Sequence, residues 1–183
     1  MNKKKLLLHT CCAPDATTAI ERLRDNYDIT VYFYNPCIQP EDEYEKREKD
    51  ARYVADIYGA GYVSDIYDAE NFLSLVKGLE DEPEKGKRCL LCYKMRLLKC
   101  AGFGSGSAYD CFTTTLTVSP HKNSDVINNI GREIAKEHNI EFLELDLKKQ
   151  DGFKKSLDTS KKLNLYRQNY CGCIFSKNKK GAF

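Results

Sequence analysis

The chain has 183 residues, 29 Lys+Arg against 27 Asp+Glu, and a formal net charge of +2. That length suits one domain able to bury a core without covalent staples, and the balanced charge excludes a protein dominated by one global field. Lys3-Lys4-Lys5 before Leu6-Leu7-Leu8 imitates a secretion signal. However, the apolar run stops at His9, and no stretch approaches the ~18 apolar residues of a membrane span. A cytoplasmic protein without a membrane partner is the expectation, and nine cysteines there point to metal or redox chemistry rather than disulfides.

Strand and helix signals alternate along the chain. A short buried strand over 5–10 leads to a helix over 15–24 and a β-branched, aromatic strand over 29–34. A loop with two prolines, 35–40, precedes a charged helix over 41–58, ended by Gly59. A strand over 62–66, a short helix over 69–77 and a polar loop over 78–87 follow. Residues 89–99 read as a helix and 102–107, rich in glycine, as a break. Then come a strand over 110–115, a loop over 116–121, a helix capped by Asn123 or Ser124, a strand over 141–145 and a helix over 152–163. The remainder reads as irregular, with residues 177–183 a flexible basic tail to a single catalytic domain spanning 1–183. Such alternation implies a mostly parallel α/β sheet with its chemistry at the carboxyl ends of the strands.

Charge is uneven. Residues 41–84 carry 14 acidic and 5 basic side chains, which reads as a solvated helix face; residues 147–183 carry 10 basic and 2 acidic, which suits either a solvated face or a phosphate contact.

Three cysteine groups stand far apart in sequence. Cys11 and Cys12 follow the first strand, Cys89 and Cys92 form a CxxC at the start of a helix, and Cys171 and Cys173 flank Gly172. Thiolates are the metal-binding form, and a helix N-terminus favours the anion. With Asp15 these six thiols make seven candidate ligands. A structural zinc or a cubane cluster needs four. Seven therefore fits a cluster plus a second metal, or a cluster plus a redox-active Cys171/Cys173 pair. A structural zinc and plain buried thiols are the other readings. Cys100 and Cys111 each read as core, Cys37 as ambiguous, and His9, His121 and His138 as packing or surface residues. No GxGxxG or Walker A pattern is present.

The segments LLLHTCCAPD (6–15), YNPCIQPEDEYEKR (34–47), RCLLCYKMRL (88–97), FTTTLTVSPHKN (112–123) and LYRQNYCGCIFS (165–176) together resemble the QueH family, the iron–sulfur, cobalamin-independent epoxyqueuosine reductases. The resemblance implies a Rossmann-like three-layer α/β/α domain related to the adenine-nucleotide α-hydrolase (HUP-like) group. It implies a 4Fe-4S cluster and an adjacent mononuclear iron acting as Lewis acid in two-electron deoxygenation of epoxyqueuosine at the tRNA wobble position, the last step of queuosine biosynthesis. A ferredoxin- or flavodoxin-like donor would supply the electrons. Cys11, Cys12, Cys89 and Cys92 are then candidate cluster ligands, and Asp15, Cys171 and Cys173 catalytic or further metal ligands. Thr114, Lys122, Asn123, Tyr166, Arg167 and Gln168 become candidates for substrate binding. Two positions depart from the family pattern: Asp15 stands where many relatives carry Cys, and Cys37 where Asn is usual. Carboxylate is the harder ligand, which places Asp15 on a mononuclear iron rather than on a cluster, unless it merely caps its helix. The alternatives are a zinc-stabilised RNA-binding module and a dithiol oxidoreductase working through Cys171 and Cys173.

Overall fold

The structure, a computed structural model, describes residues 3–177. Its centre is a five-stranded sheet in the order β3-β2-β1-β4-β5, with every neighbouring pair parallel. The strands are β1 (Lys4–His9), β2 (Tyr27–Phe33), β3 (Gly61–Ser64), β4 (Cys111–Thr114) and β5 (Glu141–Phe142). Parallel strands need crossovers that cover both faces of the sheet, so a central strand must be apolar throughout. β1 meets that demand: Leu6, Leu7 and Leu8 are wholly buried. Leu6 and Leu8 face the layer built around α1 (Ala13–Leu23), and Leu7 faces α4 (Lys87–Gly106) and α5 (Ser124–His138). α2 (Glu41–Tyr58) and α6 (Gly152–Lys162) flank α1. The remaining elements are α3 (Ala69–Leu75), a 3-10 turn over Thr115–Val118 and the short α7 (Ile174–Lys177). No helix among the described residues is long and apolar enough to cross a membrane.

Four expectations are corrected. The glycines at 102, 104 and 106 do not break the chain; α4 runs through them to Gly106. They make room instead: a side chain on Gly104 would come within 2.8 Å of Ile140 Cδ1 and 3.5 Å of Leu7. The strand expected over 141–145 stops at Phe142, because the Thr113 hydroxyl donates to the Leu143 carbonyl at 2.8 Å and takes up a ladder acceptor. The loop after β4 closes into the 3-10 turn, with Thr114 Oγ1 accepting from Leu116 N. The segment read as irregular ends in α7, which starts from the Cys173 carbonyl. Of the basic tail, Lys177 closes α7 and the rest lies outside the described residues.

α6 docks on α1 through backbone. The Gly152 carbonyl accepts from Thr18 Oγ1 at 3.1 Å, and a Cβ on Gly152 would collide with the Leu147 carbonyl. No rotamer change relieves a clash with backbone. Gly152→Ala is therefore expected to destabilise the protein by about 3 kcal/mol despite the better helix propensity of alanine. Urea denaturation checks this; an unchanged midpoint would refute the close approach.

Candidate metal centre

The carboxyl ends of β1, β2 and β4 converge on one edge of the sheet. β1 delivers Cys11 and Cys12 directly, as Cys12 is the N-cap of α1. Pro14 occupies the first turn, where its missing N–H costs nothing. Asp15 lies in that first turn and caps nothing, which removes the capping reading. Cys11, Cys12 and Asp15 are buried, and their ligand atoms lie within 4.8 Å of one another.

Beside this triad lies a cavity lined by Cys11, Cys37, Cys89, Cys92, Cys171 and Cys173. The first turn of α4 presents Cys89 and Cys92 together, as their spacing implies. Gly172, at φ +107, allows the chain to place the sulfurs on either side of it at the same wall; its backbone presses against Ile38. A second cavity is lined by Asp15, Ser119, Phe153, Arg167, Gln168 and Tyr170, among others. Both share Cys11, His121, Lys122 and Cys171, so the triad sits where the two meet.

Four of the thiols form two hydrogen-bonded pairs. Cys12 donates to Cys11, whose pKa falls well below the thiol range through that bond and through the Lys122 and Arg96 cations; the pKa of Cys12 rises correspondingly. Cys92 donates to Cys37 in the same way. Cys37 falls to about 6, aided by Arg96 and Arg47, and Cys92 rises well above its usual value. Burial pushes Asp15 up to about 7, with the negative charge on Cys11 adding to it. Burial lowers Lys122, but Cys11, Asp15 and Cys171 outweigh this, and its pKa stands above the usual ammonium value. Burial also raises Cys171, and takes Cys173 to about 11.

Most sequence candidates gather here, but not all. Lys122, Arg167 and Gln168 line the second cavity, and Gln168 Oε1 is buried without a hydrogen-bond partner. Thr114 is turned inward to His9 Nδ1, 2.9 Å away, and lines neither cavity. Asn123 caps α5, its Oδ1 accepting from Asp125 N at 2.9 Å. Tyr166 turns its hydroxyl to Glu43, donating at 2.7 Å. His9 is buried, and burial together with Arg96 lowers it to about 3, so it is neutral. Cys100 is wholly buried in the core, as expected.

Sequence reasoning underrated Cys37 and missed three buried arginines. Arg47 pairs with Glu43 at 2.6 Å and donates to the Cys171 and Tyr170 carbonyls, tying the 171–173 segment to α2. Arg88 donates to the carbonyls of Leu79, Glu80 and Glu82, which folds the 79–82 loop onto α4. Arg96 donates to the Cys92 carbonyl and to Asn35 Oδ1. Asn35 in turn donates to the Thr10 carbonyl, linking α4 to the ends of β1 and β2.

The donor set is one that could hold a metal ion. It is sulfur-rich and carries one carboxylate, and buried cations surround it. Compared with known proteins, residues 6–179 match the family model described as Epoxyqueuosine reductase QueH. Epoxyqueuosine reductase QueH of Staphylococcus epidermidis is 38% identical over 187 residues, covering 98% of this chain and 79% of that protein. The same-named proteins of Streptococcus pyogenes and Thermotoga maritima are 36% and 37% identical, covering 98% and 93% of this chain and 72% and 89% of their own length. Two solved structures share the fold. They are the U34-tRNA thiolase NcsA from Methanococcus maripaludis with its 4Fe-4S cluster (TM-score 0.59, 12% identity, 96% of this chain and 62% of that one) and a predicted subunit of tRNA methyltransferase from Methanocaldococcus jannaschii (TM-score 0.56, 14% identity, 85% and 74%).

Proposed function

Because the chain belongs to the QueH family of epoxyqueuosine reductases, enzymes with a redox role, we propose that it removes the epoxide oxygen of epoxyqueuosine in tRNA with a 4Fe-4S cluster and an adjacent iron. The observation that carries the metal assignment is the meeting of the Cys11–Cys12–Asp15 triad with the six-thiol cavity. Cys89 and Cys92 would anchor the cluster, with its other ligands drawn from Cys11, Cys37, Cys171 and Cys173. Cys12 and Asp15, with Cys11 at the shared wall, would hold the iron. When bound, the cluster supplies single electrons and the iron a Lewis acid.

The chain's own residues do the rest. Conversion of an epoxide to an alkene takes up two electrons and two protons and releases water. Lys122, half-buried beside Asp15 and facing both cavities, is the ammonium placed to donate a proton there. The buried Gln168 Oε1 supplies an unmet acceptor for a sugar or cyclopentyl hydroxyl. Arg167, which donates to Ser160 at 3.2 Å, lines the second cavity, while the exposed lysines of α6 supply positive charge for phosphate. The sheet order β3-β2-β1-β4-β5 supports the Rossmann-like, HUP-type layout as part of the same reading. We place the enzyme in the cytoplasm as a single catalytic domain fed by a ferredoxin- or flavodoxin-like donor.

Iron and sulfide analysis of anaerobically purified protein, followed by turnover of epoxyqueuosine-containing tRNA, tests the reading. About four to five irons and four sulfides per chain are expected. Colourless protein holding one zinc after anaerobic reconstitution would overturn it in favour of a zinc-stabilised RNA-binding module. Asp15→Asn is expected to lower the iron content by about one per chain while leaving sulfide unchanged. Loss of sulfide in that variant would place Asp15 on the cluster instead.

A further inference from the structure

Three guanidinium groups are buried around the thiols, on Arg47, Arg88 and Arg96, which are 2%, 1% and 4% exposed. A buried cation costs several kcal/mol unless negative charge or well-placed acceptors compensate it. Arg47 has the Glu43 carboxylate and Arg88 has three backbone carbonyls. Arg96 has neither. Its two acceptors are the Cys92 carbonyl at 3.2 Å and the neutral Asn35 amide oxygen at 3.4 Å. Among the described residues it forms no ion pair with a carboxylate. It lines the thiol cavity together with Cys11, Cys37 and Cys92, so the thiols are the groups positioned to carry its counter-charge. His9, the neighbouring imidazole, is neutral and adds no charge. Lys122 faces the Cys11–Asp15 side.

From this geometry we infer that Arg96 is the built-in counter-charge of the iron–sulfur centre and sets how readily that centre accepts an electron. The inference rests on the reading of the site given above. Four thiolates around a 4Fe-4S core leave a net negative charge, which one-electron reduction increases. A fixed cation in a water-poor interior favours the more negative form, so it raises the reduction potential. The bond from Nε to the Cys92 carbonyl, one turn back on the same helix, keeps the charge from swinging away. Arg96 acts on the centre by its field, without itself bonding iron. A purely structural role is the competing account, since the same side chain also ties Asn35 to α4.

The test is a potentiometric titration of the anaerobically reconstituted full chain, followed by visible absorbance and electron paramagnetic resonance, with iron and sulfide assayed in parallel. Arg96→Gln keeps hydrogen-bonding capacity and removes the charge. It is expected to retain iron and sulfide but to be at least tenfold harder to reduce, a fall of about 59 mV or more for a one-electron couple. Arg96→Lys, which keeps the charge, is expected to stay within threefold of the parent. Asn35→Ala cuts the tether and leaves the charge; it is expected to lower the melting temperature without moving the potential. An unshifted potential in Arg96→Gln would overturn the inference and leave Arg96 a tether. If Arg96→Gln loses its cluster, the other two variants decide. Retention in both supports the charge role, whereas loss in Asn35→Ala as well supports the tether. A parent protein that takes up no iron and sulfide would bring down the reading of the site itself, an outcome distinct from a cluster whose potential ignores residue 96.

Discussion

Cys89→Ala is expected to lose the brown colour, the acid-labile sulfide and all turnover, while the metal-free protein keeps its stability within about 0.5 kcal/mol. The separation of these effects follows from where Cys89 sits. It is only partly buried at the start of α4, and the polar contact to its sulfur is the Lys85 amide, which donates at 3.3 Å. Little packing is lost with it, yet it is one of two thiols that a single helical turn aims into the cavity. Cys100→Ala is the reverse case. Cys100 is wholly buried among Leu97, Ala101 and Tyr32, and burial alone raises its thiol far above its usual pKa. Its loss is expected to cost about 1 kcal/mol and leave iron, sulfide and turnover intact. Iron assays and thermal melts on the two variants check both halves. Full activity in Cys89→Ala, combined with inactivity in Cys171→Ala, would favour a dithiol mechanism and sink the cluster-dependent one.

The second large effect is at Arg47. Arg47→Met is expected to destabilise the protein by about 3–5 kcal/mol, because it strands the buried Glu43 carboxylate. It also releases the carbonyls of Tyr170 and Cys171 and the cation–π contact with Tyr170, 5.3 Å from the ring centre. The double variant Arg47→Met with Glu43→Gln is expected to recover much of the lost stability, since the stranded charge is gone. It is not expected to recover iron binding, because the segment carrying Cys171 and Cys173 stays untethered. Urea denaturation with parallel iron assays separates the two. Recovery of iron in the double variant would show that the 171–173 segment holds its place without Arg47.

Some of the fold and site is legible residue by residue. The run Leu6-Leu7-Leu8 announces a strand buried on both faces, and the Cys-Cys-Ala-Pro that follows announces a strand end opening into a helix. The CxxC spacing places two sulfurs on one helical turn. Other features depend on contacts that local pattern does not carry. The pairing of Cys37 with Cys92 depends on β2 lying next to β1 and on α4 crossing behind both; nothing in the Pro-flanked loop itself foretells it. Arg47 and Glu43 lie in a stretch whose charge density reads as solvated, but their i,i+4 spacing lets them pair and bury. Only the packing of the 165–173 segment against α2 decides that they do so. The glycines of α4 follow the same logic: they satisfy a close approach by Ile140, a residue more than thirty positions further on.

The wide spacing of the proposed ligands has a consequence for how the enzyme is made. Cys11 and Cys12 leave the ribosome about 160 residues before Cys171 and Cys173. At about 5–20 residues per second, the first thiols wait roughly 10–30 s for their partners. During that interval the nascent chain carries isolated thiols and incomplete ligand sets, open to oxidation or to capture of a stray ion. On the proposed reading the full ligand set exists only in the finished chain, so the cofactor would be delivered after synthesis, to a chain already folded. Metal content would then serve as a measure of completed folding, and a truncated product lacking the last two cysteines would be marked as unfinished by its failure to take up metal.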